Sequence, residues 1–127
     1  MHRSRIGIVL IDHPEEVYET TLGFWAGVIG EQAGVAKESP ILRIGTLAGS
    51  LGLEVQRTGS GTPARIHLDI ETDDIAAEVD RLVGLGATIE QERDGVTVLC
   101  DPGNLVFCVV GVQTDQAEFD RHARTWK

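Results

Sequence analysis

Apolar and polar positions run through this chain in two similar passes. Residues 6–11 (Ile6-Gly7-Ile8-Val9-Leu10-Ile11) are a β-branched run that reads as a buried strand. Asp12-His13-Pro14 ends it. Pro14 suits the first turn of a helix, where Glu15 and Glu16 favour the positive end of the dipole. Val17, Thr21, Phe24, Trp25 and Val28 then recur at i, i+4, i+7, i+8 and i+11, which predicts an amphipathic helix stopped near Gly30. Residues 31–39 are polar and irregular. Residues 41–47 make a candidate strand and Ala48-Gly49-Ser50 a turn. In residues 51–57, Leu53 and Val55 fall on one face of a strand and Glu54 and Gln56 on the other.

Thr58-Gly59-Ser60-Gly61-Thr62-Pro63 is the most linker-like stretch, and after it the pattern restarts. Residues 65–71 read as a strand with Ile66, Leu68 and Ile70 on one face and His67, Asp69 and Glu71 on the other. A helix capped by Thr72 or Asp73 follows, with Ile75, Val79, Leu82 and Val83 as its apolar stripe and Gly84 and Gly86 at its end. Residues 88–92, 96–100 and 105–110 read as three strands, separated by Asp94-Gly95 and by Asp101-Pro102-Gly103-Asn104. An offset of sixty lays Ile6, Ile8 and Leu10 over Ile66, Leu68 and Ile70, and Gly7 over His67.

The fold expected is therefore α+β in a single domain: two βαβββ modules whose free sheet faces form a mixed-sheet cup, plus a C-terminal helix. Module one covers about residues 5–57, the linker 58–64, module two 65–112 and the helical tail 113–127. In the tail, Asp115 with Glu118 resembles a capping box, and Phe119, Ala123 and Trp126 form an i, i+4, i+7 stripe. That stripe is expected to dock on its own sheet or on a partner subunit, which makes a homodimer the expected assembly.

Charge narrows the partners. A net charge of −9, from 11 Lys+Arg against 20 Asp+Glu with no basic run, disfavours nucleic acid and anionic membranes. The first apolar run is too short for an export signal or a membrane span, so a cytoplasmic protein with reduced thiols is expected. Cys100 and Cys108 flank the Asp101–Asn104 turn without facing each other, so no disulfide is expected, and their spacing is not that of a zinc ribbon.

Several side chains could carry chemistry, each with an ordinary structural alternative. His67 is a ligand or general base facing the cup, or a histidine hydrogen-bonded within the sheet. Glu54 and Gln56 share a face and look into the cup or into solvent. Cys108 is a thiolate beside His67 or a small core hydrophobe. Asp69 and Arg43 are polar ligand contacts or solvated charges. Phe24 and Trp25 read as core.

The paired modules, Phe24-Trp25, His67-Leu68-Asp69 entering Asp73-Asp74, Leu82-Val83-Gly84-Leu85-Gly86-Ala87, Asp101-Pro102-Gly103-Asn104 and Phe107-Cys108-Val109-Val110 resemble the glyoxalase / bleomycin-resistance group, the vicinal oxygen chelate superfamily. The likeness covers residues 5–112 and is nearest to small glyoxalase-like proteins of actinobacteria. In metal-binding members the ligands come from the first and last strands of each module, positions that fall here at Gly7, Gln56 (or Glu54), His67 and Cys108. Only His67 is a standard ligand at its position, so no metal and no other cofactor are expected, although Glu54, His67 and Cys108 together would suit Zn²⁺. The function expected is small-molecule binding in the cup through His67, Gln56, Glu54, Asp69, Cys108 and Arg43. The alternative is a divalent-metal-dependent lyase, isomerase or dioxygenase.

Overall fold

Asp73 and Thr72, at the end of the His67 strand, show how local chemistry sets an element boundary. In the computed structural model, which describes residues 1–30 and 40–127, Thr72 Oγ1 donates to the Arg3 carbonyl (2.7 Å). The Asp73 carboxylate accepts from the Arg3 amide (2.7 Å) and from Arg3 Nε (2.9 Å). Both side chains are thereby engaged by Arg3, and the helix cap falls instead to Asp74, whose Oδ1 accepts from the Ala77 amide (3.0 Å).

The described residues form β1 (His2–Pro14), α1 (Tyr18–Ile29), β2 (Ile41–Leu47), a short 3-10 turn (Ala48–Ser50), β3 (Leu51–Thr58), β4 (Arg65–Thr72), α2 (Ile75–Gly84), β5 (Thr88–Arg93), β6 (Val96–Cys100), β7 (Val106–Gly111), α3 (Gln116–His122) and β8 (Arg124–Trp126). This is an α+β chain with a mixed sheet, as the periodicities predict. The second module is complete as β4-α2-β5-β6-β7, and the first supplies β1, α1, β2 and β3 among the described residues. The irregular stretch 31–39 lies outside the described residues. No described helix is long and apolar enough to cross a membrane. Two compact units emerge, Val9–Ile66 and Met1–Ile8 with His67–Lys127, and β1 runs through both.

In the unit containing the second module, β4 pairs with β7 in parallel, and β7-β6-β5 follow as antiparallel neighbours. Val79 and Leu82 of α2 pack on Leu99 and Val109, with Ile70, Ile75, Ala87 and Phe107 around them. The predicted stripe is partly corrected. Val83 is 43% exposed, and Glu78 is fully buried on the packed side, held by His2 Nε2 (3.2 Å) and Arg81 Nη2 (2.6 Å).

The tail also differs from expectation. Asp115 caps α3 as anticipated, accepting from the Ala117 and Glu118 amides, but the helix ends at His122. Arg124–Trp126 is a strand paired antiparallel with His2–Ser4 of β1. Seven residues make a marginal helix on their own, and the extended continuation gains ladder bonds plus the Trp126 Nε1 bond to Ser4 Oγ (2.8 Å). The Arg81 guanidinium lies over the Trp126 ring at 3.8 Å, and Phe119 is fully buried beneath Arg3. The tail therefore docks on its own unit.

In the other unit, β2 and β3 pair antiparallel, and Ile11, Tyr18, Leu22, Ile44, Leu53 and Val55 form the core. The buried face of α1 is Tyr18, Leu22 and Ala26; of the predicted Val17-Thr21-Phe24-Trp25-Val28 stripe, Trp25 packs against this core, whereas Phe24 is 62% exposed. Both sides of α1 carry apolar residues at helical spacing, and the sheet beneath selects between them. Gly30 closes the helix at φ 83°, the left-handed conformation glycine adopts readily.

Candidate functional site

Alternation along β4 divides it into two faces, and the polar face is the covered one. His67, Asp69 and Glu71 are 5%, 6% and 0% exposed, whereas Ile66 is 58% exposed. Burying carboxyl groups is costly unless each finds hydrogen-bond donors or an opposite charge.

Five carboxylates are buried among the described residues: Asp12, Glu54, Asp69, Glu71 and Glu78. Four of them face an arginine. Arg65 Nε reaches Asp12 (3.2 Å), Arg43 Nε reaches Glu54 (2.7 Å), Arg5 Nε reaches Glu71 (2.7 Å) and Arg81 reaches Glu78 (2.6 Å). Glu71 also accepts from Thr114 Oγ1 (2.5 Å) and from the amides of Gln113 and Thr114 (3.1 Å each). Burial opposes its ionisation, yet Thr114, Arg5 and the two amides together hold its carboxyl below the ordinary value. Glu71 is thus a structural ion pair, and its Arg5 partner, 66 positions away, gave no signal in the sequence.

Asp69 is the exception. Its Oδ1 is buried with no hydrogen-bond partner. His67 Nε2 lies 3.4 Å from it, too long for a normal N–H···O bond. On the parallel neighbour β7, Cys108 stands in register with Asp69. One donor atom from each of His67, Asp69 and Cys108 lies within 4.8 Å of the others. The arrangement follows from strand geometry. Positions i and i+2 of β4 point the same way, and in-register residues of adjacent strands sit side by side. Cys108 is half-buried and Cys100 buried, and the two are not joined in a disulfide.

The remaining predicted contacts lie in the other unit. Arg43 and Glu54 bond to each other, and Gln56 is half-buried on β3 opposite Ile41. Arg43 is seated against Gly52, where a Cβ would meet its guanidinium at 2.6 Å.

A family model for the glyoxalase-like domain matches residues 9–110. The chain belongs to the glyoxalase-like domain family. No curated protein matches this glyoxalase-like chain. Among solved structures it is similar to the NAD-dependent benzaldehyde dehydrogenase from Legionella pneumophila at 11% identity and a TM-score of 0.52, covering 83% of this chain and 99% of that one. At that identity the likeness is one of fold alone.

The metal positions that the superfamily implies can now be compared with the residues present. Gly7 offers no donor, and its side-chain space is taken: a Cβ there would lie 2.6 Å from Glu71 Cγ and 2.7 Å from Glu71 Oε1. Glu54 is already bound by Arg43. The four-position set does not fit this chain's residues. What the second module does hold is a three-residue cluster that includes Asp69, which is outside that set.

Proposed function

We propose that this glyoxalase-like protein binds a small molecule at the polar face of β4 and β7, with His67, Asp69 and Cys108 as its contacts. One observation carries the reading: Asp69 Oδ1 is the buried carboxylate oxygen in this unit left without a donor, while Glu71 two positions on has four. An unsatisfied buried acceptor costs about 1–3 kcal/mol, and a ligand donating to it would recover that. The matching ligand is small and carries a hydroxyl or N–H group for Asp69, beside an acceptor or donor for His67. The neighbouring Cys108 thiol tolerates an apolar portion.

The test is thermal stabilisation by a panel of small hydroxylated and aromatic metabolites. A binding compound should raise Tm in the parent and lose most of that effect in Asp69→Asn and His67→Ala. A panel without any shift, or shifts untouched by both substitutions, would remove the reading. A metal-dependent lyase, isomerase or dioxygenase is the second reading. It draws support from the closeness of the three donor atoms, and its signature would be turnover that appears only after metal loading.

A further inference from the structure

We propose a second binding site on the opposite face of β4, for a monocarboxylate that carries an alkyl or aryl tail. Ile70 packs toward the α2 core, and alternation along the strand turns His67 and Asp69 the other way. The groove is therefore separate from the polar face discussed above, and the proposal does not rest on that reading.

Shape is the first argument. A cavity of about 380 Å³ is walled by β1, β4, α2 and the C-terminal tail, within the roughly 300–1,000 Å³ of small-molecule pockets. Ile6 and Ile70 give it an apolar lining and Trp126 an aromatic one. A smaller recess of about 190 Å³, lined by Leu68, Leu105 and Phe107, shares Ile6 and Ile70 with the first. The two are thus one groove, with a polar end at the tail and an apolar end at β7.

Charge is the second. In a chain of net charge −9, the larger cavity is lined by arginines and a histidine and by no carboxylate among the described residues. Two of the arginines are already committed. Arg5 holds Glu71, and Arg81 holds the buried Glu78 while its guanidinium lies over Trp126. Arg124 is exposed and has no ion pair or side-chain hydrogen bond among the described residues. It sits two positions from Trp126 on β8 and so shares its face, and pairing with Ser4 brings that face to the cavity. His122 joins it in the lining; its Nε2 is 3.4 Å from Glu118, whose carboxylate Arg121 already holds at 2.6 Å. A guanidinium without a protein partner offers a carboxylate two parallel N–H donors.

Selectivity is the third. Ile6 and Leu105 are 48% and 52% exposed, and a hydrocarbon chain laid along them removes apolar surface from water. Asp101 lines the apolar end, with its Oδ1 held by the Gly103 and Leu105 amides. A fixed carboxylate there repels a second anionic group, so the groove selects a monoanion over a dicarboxylate.

The probe is octanoate, titrated into full-length protein by calorimetry beside octanol, acetate and suberate, its dicarboxylate counterpart. Octanoate should bind one per chain, about tenfold or more tighter than octanol or suberate, and acetate should not displace it. Arg124→Gln should weaken octanoate about tenfold or more and leave octanol unchanged. Ile6→Glu, at an exposed position, should weaken both, with thermal melting to check that each variant is folded. Absence of saturable octanoate binding to the parent protein overturns the site. So does equal affinity for octanol, or octanoate binding indifferent to Arg124→Gln and Ile6→Glu. Octanoate binding lost in His67→Ala would put the ligand on the other face of β4 and refute the proposal equally. Self-association abolished by Ile6→Glu, without octanoate binding, would make the groove an interface between copies of the chain and would also overturn it.

Discussion

Replacing Gly7 with alanine puts a methyl carbon into space that the Glu71 side chain occupies. The added Cβ would lie 2.6 Å from Cγ and 2.7 Å from Oε1, about 1 Å inside ordinary contact of roughly 3.5–4.0 Å. Glu71 has nowhere to go, because it is fully buried and gripped by Arg5, Thr114 and two backbone amides. On an open strand, Gly→Ala would gain about 0.5–1 kcal/mol. Here overpacking costs about 1–3 kcal/mol, and pushing the carboxylate off Arg5 approaches the roughly 3–5 kcal/mol of a broken buried pair. A net loss of about 2–4 kcal/mol is expected, and denaturant unfolding monitored by circular dichroism reads it. Glu71→Ala removes the obstructing atoms, so in that background Gly7→Ala should cost less than about 0.5 kcal/mol or become favourable, a coupling of at least ~2 kcal/mol. A neutral or stabilising Gly7→Ala in the parent, or an equal loss in both backgrounds, would refute the packing argument.

Other expectations follow from the same contacts. Because the Glu71 carboxyl is held below its ordinary 4.5 in the fold, its contribution is complete above that pH and is lost as pH falls through the folded value. Acid unfolding should therefore be shallower in Glu71→Gln than in the parent. Phe119→Ala empties a fully buried site under the tail and should cost about 3–5 kcal/mol by urea unfolding; a loss below ~1 kcal/mol would mean that α3 is not docked. Asp74→Ala should cost about 1 kcal/mol as a lost helix cap, and an unchanged urea midpoint would return the cap to Thr72 or Asp73.

Much of the fold was legible because strand alternation and turn residues are local signals. β2, β6 and the turn at Asp101–Asn104, where Asp101 Oδ1 accepts from the Gly103 and Leu105 amides, fall where the pattern put them. The candidate site was half legible. Alternation puts His67, Asp69 and Glu71 on one face, yet it does not say which face the rest of the unit covers, and the polar face is the buried one. The difference between Glu71 and Asp69 is a matter of partners from residues 5 and 113–114, long-range choices that leave no trace in spacing. The tail misled for a related reason. Phe119, Ala123 and Trp126 fit a helix, but pairing of Arg124–Trp126 with His2–Ser4 wins once the chain ends meet.

The most direct test of whether Asp69 serves a ligand rather than the fold is the unfolding free energy of Asp69→Asn beside that of Glu71→Gln, both without added metal or small molecule. Asp69 has no hydrogen bond at Oδ1 to lose, whereas Glu71 has Arg5. Asp69→Asn should fall within about 0.5 kcal/mol of the parent or above it, since no paired group is stranded. Glu71→Gln should lose roughly 3 kcal/mol or more. An Asp69→Asn loss as large as that of Glu71→Gln would make Asp69 a structural residue and contradict the account.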